Sequence, residues 1–281
     1  MMRVQFASQA AVAGLMVCFA AGAPAEAAPV LAQHKAIYDL KLVKSAGKRP
    51  VEAVRGRIKY DFTGSVCEGY ALSFRQVSEI DSGEGKVALS DMRAATWEAG
   101  DARSFRFSSE NQINEQTVDT VDGNAGRDSS GVSVKLLKPK PKNFDLDVKI
   151  AFPTEHVRRV IEAAEAGKTL LELSVFDGSE SGDKVFSTLA VIGNVIKPGE
   201  KLPDDAAAGN AALADLRRWP VTISYFDQDS PKTAGEQTPA YSIGFELYEN
   251  GISRALTLDY GDFVVSGTMS SLELKNAAAC K

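Results

Sequence analysis

Histidine and cysteine are scarce in this chain: two and three respectively among 281 residues. Only His34 and His156 could serve as imidazole bases, and neither sits in a recognisable catalytic spacing. Also absent are the Gly-x-Ser-x-Gly elbow, Ser-x-x-Lys with its companion motifs, His-Glu-x-x-His and Cys-x-x-Cys, which removes the common signatures of serine, zinc and thiol chemistry. There is no Gly-rich phosphate loop, and nothing in the sequence calls for a nucleotide, a metal or another cofactor. Basic residues do not prevail either. The net charge is −5, and no cationic stripe is present to displace counterions from nucleic acid. The densest basic stretch, Lys135–Lys142, is broken by Pro139 and Pro141 and reads as a solvated, extended linker. Beyond the N-terminus no apolar run approaches the ~20 residues that span a bilayer, so an integral membrane protein is not expected.

The first 27 residues carry what the rest lacks. Arg3 supplies a positive start, Ala10–Ala23 an apolar segment, and Ala25-Glu26-Ala27 a small-x-small cleavage pattern, together a secretory signal cut near Ala27. Val17 before Cys18 does not suit a lipoprotein signal. Cleavage removes Cys18 and leaves Cys67 and Cys280. An even count in an oxidising compartment favours a disulfide between them, the alternatives being two free thiols or an intermolecular bridge. The expected location is outside the cytoplasm.

Apolar residues make up 44% and charged residues 25%, ordinary for a chain with a real core. The mature segment, residues 28–281, has no repeat and no Gly/Ser-rich linker, so a single domain is expected. Alternation of apolar and polar residues predicts strands at Ala36–Val43, Arg57–Phe62, Tyr70–Val77, Val87–Trp97, Ser104–Phe107, Asn114–Asp122 and Gly131–Leu137. Turn residues separate them at Lys48-Arg49-Pro50, Asp81-Ser82-Gly83, Ala99-Gly100-Asp101 and Asp122-Gly123-Asn124. Such spacing suggests a large antiparallel system.

The middle differs. Val157, Val160, Ile161 and Ala164 recur at helical spacing within Glu155–Ala166, with Thr154 as the expected N-cap and Gly167 as the stop. Glu155 and Arg159 form an i,i+4 pair on the face opposite the stripe. That apolar stripe requires a sheet to cover it. Strands resume at Thr169–Phe176, Lys184–Ile192, Val221–Phe226, Tyr241–Tyr248, Arg254–Tyr260 and Val264–Leu274. A second, minor helix is expected over Asp205–Arg218, ended by Trp219-Pro220.

No catalytic residue emerges. His34 lies near the mature N-terminus, where a base would be poorly held. His156 falls in the first helical turn, where the dipole disfavours imidazolium and a partly exposed packing role is the ordinary expectation. The acidic loop Asp177–Asp183 has oxygen ligands but not EF-hand spacing, and reads as a turn. With the aromatics, the residues that have most to offer a ligand are His156, Trp97, Asp177 and Trp219. A hydrolase using His156 with Glu155, Asp177 or Asp183 is the weakest of the functional readings.

An ordered set of short segments then becomes informative: Cys67-Glu68-Gly69-Tyr70, Thr96-Trp97-Glu98, Pro153-Thr154-Glu155-His156, Phe176-Asp177-Gly178-Ser179, Trp219-Pro220-Val221, Tyr248-Glu249-Asn250-Gly251, Leu258–Phe263 and Cys280. In this order the chain resembles the cell envelope integrity protein B (EipB) family of Gram-negative bacteria. The resemblance implies a periplasmic protein that helps maintain the envelope. It also implies a long antiparallel sheet curled into an open, spiral-like barrel, with the helix near residues 153–166 against its inner face. The family's paired cysteines map onto Cys67 and Cys280, and no catalytic residues are implied. The expected function is therefore non-enzymatic binding of another envelope component, a protein or a peptidoglycan or lipid species. The alternative is a carrier or sensor of a hydrophobic ligand with the helix as its lid.

Overall fold

A computed structural model describes residues 29–46, 51–229 and 237–276. The expected signal segment, the Lys48-Arg49-Pro50 turn and Cys280 lie outside the described residues. Fourteen antiparallel strands form one sheet: β1 (His34–Ser45), β2 (Ala53–Ser65), β3 (Gly69–Asp81), β4 (Val87–Glu98), β5 (Ser104–Ile113), β6 (Gln116–Arg127), β7 (Val132–Lys138), β8 (Lys142–Leu146), β9 (Leu170–Val175), β10 (Phe186–Ile192), β11 (Arg218–Asp227), β12 (Tyr241–Tyr248), β13 (Ser253–Asp259) and β14 (Phe263–Leu274). Helix α1 (Pro153–Glu165) separates β8 from β9.

The order across the sheet is β8-β7-β6-β5-β4-β3-β2-β1-β14-β13-β12-β11-β10-β9. The chain therefore begins in the centre, winds outward hairpin by hairpin to one edge, crosses through α1, and winds inward from the other edge. β14 then pairs with β1, from His34 opposite Leu274 to Ser45 opposite Phe263. The two edges are not sealed by a ladder. They approach where Ala151, just before α1, bridges Val175 at the end of β9, and where Lys142 of β8 reaches Asp183 at 2.7 Å. The result is a barrel-like sheet left open.

Why the sheet curls is seen in what α1 touches. Its stripe of Val160, Ile161, Ala163 and Ala164 packs with Phe62 and Tyr70 from one limb and with Ala190, Ile192, Trp219, Val221, Ile223 and Leu247 from the other. A flat sheet could not present β2–β3 and β10–β12 to one helix. Burial of a residue such as Ile161, fully covered, is worth about 1.5–3 kcal/mol, so the stripe rewards wrapping. A second cluster, Phe105, Phe107, Val121, Val134, Leu136, Phe152 and Phe176, fills the space between β5–β7 and the segments flanking α1 and β9. Alternation keeps one face of each strand inward.

Several expectations are corrected. Asp122-Gly123-Asn124 is not a turn but runs through β6; the turn is Asn114-Glu115, both at positive φ. Gly123 lies flat beneath Phe107, whose ring would stand 2.5 Å from an added Cβ. The basic stretch Lys135–Lys142 is no linker but the β7–β8 hairpin. The alanine-rich Asp205–Arg218 segment reduces to turns and a 3-10 stretch at Ala211–Leu213. It is held as a loop because Arg254 of β13 takes Asp204 and Asp205 at 2.8 and 2.9 Å. Trp219 and Pro220 lie inside β11, which already begins at Arg218.

Candidate functional site

The start of α1 is fixed by charge. Phe152 occupies the N-cap position with extended dihedrals and no acceptor side chain, so the expected cap, Thr154, is one of the residues needing to be capped. Glu98, the last residue of β4, does it. Its carboxylate oxygens accept Thr154 N–H at 2.7 Å and Glu155 N–H at 2.8 Å. Burial pushes Glu98 up to about 7, with the two helix N–H groups and Arg158 pulling the other way. Glu155 accepts from Arg127 at 2.9 Å and Arg159 at 2.5 Å, and from Phe152 N–H at 3.3 Å. The Glu155–Arg159 pair thus forms, but Glu155 is buried and not on an outer face. Arg127 lies 4.7 Å over the Phe152 ring, and Arg158 donates to Gly100 O at 3.0 Å. Two acids and three arginines clamp the helix to β4, β6 and the β4–β5 turn.

One residue on, His156 turns into the barrel. It is buried rather than partly exposed, and burial with the nearby Arg159 charge lowers it to about 4, so it is neutral at ordinary pH. Its Nε2 lies 3.4 Å from Thr188 Oγ1, and its ring meets Tyr225 edge-on at 6.4 Å. Tyr225 stacks on Tyr241 at 4.5 Å and 14°, and Phe186 meets both edge-on at 6.0 and 5.8 Å. Asp177, in the β9–β10 loop, acts electrostatically on both phenols, which burial already pushes above their ordinary range. Asp177 is itself raised by burial, against hydrogen bonds from Ser179.

Of the four residues expected to face a ligand, this arrangement gathers His156 and Asp177 around Tyr225. Trp97 stands elsewhere, on β4 beside the turn that carries Cys67. Its indole N–H donates to Glu68 O at 3.3 Å, Arg106 lies 5.0 Å over its ring, and Gly69, at φ +80°, leaves no room for a Cβ against it. Trp219 is in the core under α1, with Arg217 over its ring at 5.4 Å. His34 is well held, not loose: it is buried and stacks on Tyr60 at 5.4 Å. Glu98, Phe186 and Thr188 were not singled out by sequence. Glu98 carried a signal, since Ala94, Thr96 and Glu98 share the alternating face that turns inward.

This combination of an open fourteen-stranded sheet and an internal helix has relatives. The EipB-like family model matches residues 25–276. The chain belongs to the EipB-like family. One curated relative, the cell envelope integrity protein EipB of Brucella abortus, is 36% identical over 282 residues, covering 99% of this chain and 98% of that protein. A crystal structure of a beta-barrel-like protein from the same organism matches with a TM-score of 0.80 and 36% identity, over 89% of this chain and all of that one. The EipB-like fold is therefore mainly β, with the internal helix expected from the apolar stripe. No helix among the described residues of this EipB-like chain is long and apolar enough to cross a membrane.

Proposed function

We propose that this protein is an exported factor that maintains cell envelope integrity by binding another envelope component in the periplasm, without chemistry of its own. The observation that carries the reading is the 36% identity, end to end, with the Brucella protein named for envelope integrity. The N-terminal signal pattern supports export. The state of the groups around His156 supports a binding role over a hydrolytic one. Thr188 Oγ1, the hydroxyl nearest the imidazole, donates its proton to Leu173 O at 3.0 Å and so has none to give to His156. Glu155 is spent on two arginines and Asp183 on Lys142. Deleting the gene and challenging cells with detergents and cell-wall antibiotics tests the reading; the expected result is raised sensitivity, and unchanged sensitivity contradicts it.

A second reading, a carrier of a hydrophobic molecule, draws on the inward side chains Tyr60, Leu72, Tyr225 and Phe245, which are only partly buried against the helix cluster. The clamp on α1 by Glu98 argues against that helix being its lid. Mass spectrometry of protein from the native periplasm separates the two, since a carrier brings lipid with it. The Cys67–Cys280 disulfide belongs to the same proposal: it would tie the tail that follows β14 to the β2–β3 turn.

A further inference from the structure

The outer face of the central strands carries cations set against one another. Arg55, Arg57 and Lys59 of β2 alternate outward and are exposed, while Val54 and Ile58 turn inward and are buried. Lys59 stands opposite Arg75 of β3, which stands opposite Arg93 of β4, and Arg55 stands opposite Lys41 of β1. All are exposed. Directly opposed like charges weaken a sheet, and the nearby carboxylates relieve only part of this. Asp91 accepts from Arg75 and Arg93 at 2.8 and 2.7 Å, and Asp39 from Arg57 at 2.8 Å. Glu79 and Glu110 lie opposite Arg55 and Arg93 in register, but neither closes an ion pair among the described residues. Lys41, Arg55 and Lys59 likewise form no ion pair among the described residues. The chain as a whole has a net charge of −5, so this cationic surface is not a matter of overall composition. Beside Arg93 it meets a hollow of about 220 Å³ lined by Arg93, Ala95, Ser108, Glu110, Asp122 and Lys138. Ala95 and Ser108, opposite one another in register, are small and leave it open.

We propose that the outward face of β1–β4, with the adjoining hollow, docks an acidic, extended segment of a protein partner. This deepens the binding role of the preceding section and rests on it. A strand rises about 3.3 Å per residue, which sets Arg55 and Lys59 about 13 Å apart. An extended segment lying along β2 has the same repeat, so acids four residues apart meet both. Each carboxylate brought in relieves two cations that oppose one another, Lys41 with Arg55 and Lys59 with Arg75. A bilayer of anionic headgroups fits less well. Asp39, Glu79, Asp91 and Glu110 lie among the cations and would repel a uniform negative plane, whereas a protein segment carries both signs. The apolar side chains between the cations, Ile37 and Val77, are half-buried and offer lipid little to hold. The hollow receives a side chain of the same segment. Its walls, Arg93 and Lys138 against Glu110 and Asp122, suit a polar one.

The test uses the processed chain and a fluorescein-labelled peptide of alternating Glu and Ser, with binding read by anisotropy. Saturable binding that weakens as salt is raised is expected, and none by the Gln/Ser peptide. Arg55→Glu with Lys59→Glu should weaken binding roughly tenfold, and Arg55→Gln with Lys59→Gln roughly threefold, as for screened surface charges. Both side chains are exposed, so the melting temperature should not change. Lys168→Glu with Lys197→Glu, an equal change of charge at exposed positions on the other limb, should leave binding unaltered. An equal loss in that control, or undiminished binding in both β2 variants, overturns the proposal. So does sedimentation of the chain with phosphatidylglycerol vesicles while the peptide fails to bind. In cells, the reversed β2 pair should be as sensitive to detergent as a strain lacking the gene. A sensitive deletion strain beside an unaffected β2 variant removes this surface and keeps the envelope role. Peptide binding by a protein whose loss leaves cells unaffected removes the envelope role and keeps the surface.

Discussion

At the residue scale, two buried groups in α1's first turn and its cap titrate in opposite senses. Glu98 is raised from 4.5 to about 7, so the folded chain holds its proton more tightly. Its contribution to stability is complete below about pH 4.5 and is lost as pH rises toward 7. His156 is lowered from 6.5 to about 4, so its contribution is complete above about pH 6.5 and is lost as pH falls toward 4. Each is worth about 3 kcal/mol, and over pH 4.5–6.5 they offset one another. Urea denaturation across that window should show Glu98→Gln gaining stability with rising pH relative to wild type, and His156→Leu losing it. Parallel pH profiles for all three proteins would contradict this assignment. The sequence showed His156 in the right place but not its burial, because a lone polar residue near an apolar stripe does not reveal whether the opposite wall exists. Asp177 was visible as a turn residue and as a ligand candidate, but its surroundings were not, since nothing local brings Tyr225 and Tyr241 within reach of its charge.

At the scale of elements, α1 was legible almost to the residue because its apolar spacing, Pro153 and Gly167 are all local signals. Its cap was not. Thr154 is a reasonable cap by composition, but the acceptor comes from Glu98, on another element. Glu98→Ala should therefore fray this helix end, with faster hydrogen exchange at the Thr154 and Glu155 amides and a loss of roughly 1–3 kcal/mol. Exchange unchanged at those two amides would count against the cap. Ile161→Ala, on the covered stripe, should cost roughly 2–5 kcal/mol in the same denaturation assay. The Asp205–Arg218 segment misled for the opposite reason: its alanines favour helix, but the ion pairs of Arg254 with Asp204 and Asp205 hold it as loop. Asp122-Gly123-Asn124 carries turn chemistry, yet Gly123 is needed for flatness under Phe107.

At the scale of the whole molecule, alternation and hairpin spacing identify an antiparallel sheet, and hairpins fix most neighbours. The pairing of β1 with β14 is beyond local signals, as it joins residues from opposite ends of the chain. The proposed Cys67–Cys280 bond acts on that scale. By closing most of the mature chain into a loop it could add up to about 5 kcal/mol. Nonreducing peptide mapping should find the two cysteines linked, and Cys67→Ser should lower the melting temperature; a mapped Cys67 thiol in oxidised protein would refute the bond.

Because β1 and β14 lie side by side, the polypeptide's two described extremities share a seam rather than opposite poles. A short tether across that seam, with a new opening at Asp147–Lys149 between β8 and α1, would leave the native register geometrically intact. Such a permuted protein would turn the seam into a local hairpin and leave α1 at a free end. Comparing its refolding speed with that of the natural order would report whether uniting the two limbs is the slow event in assembly.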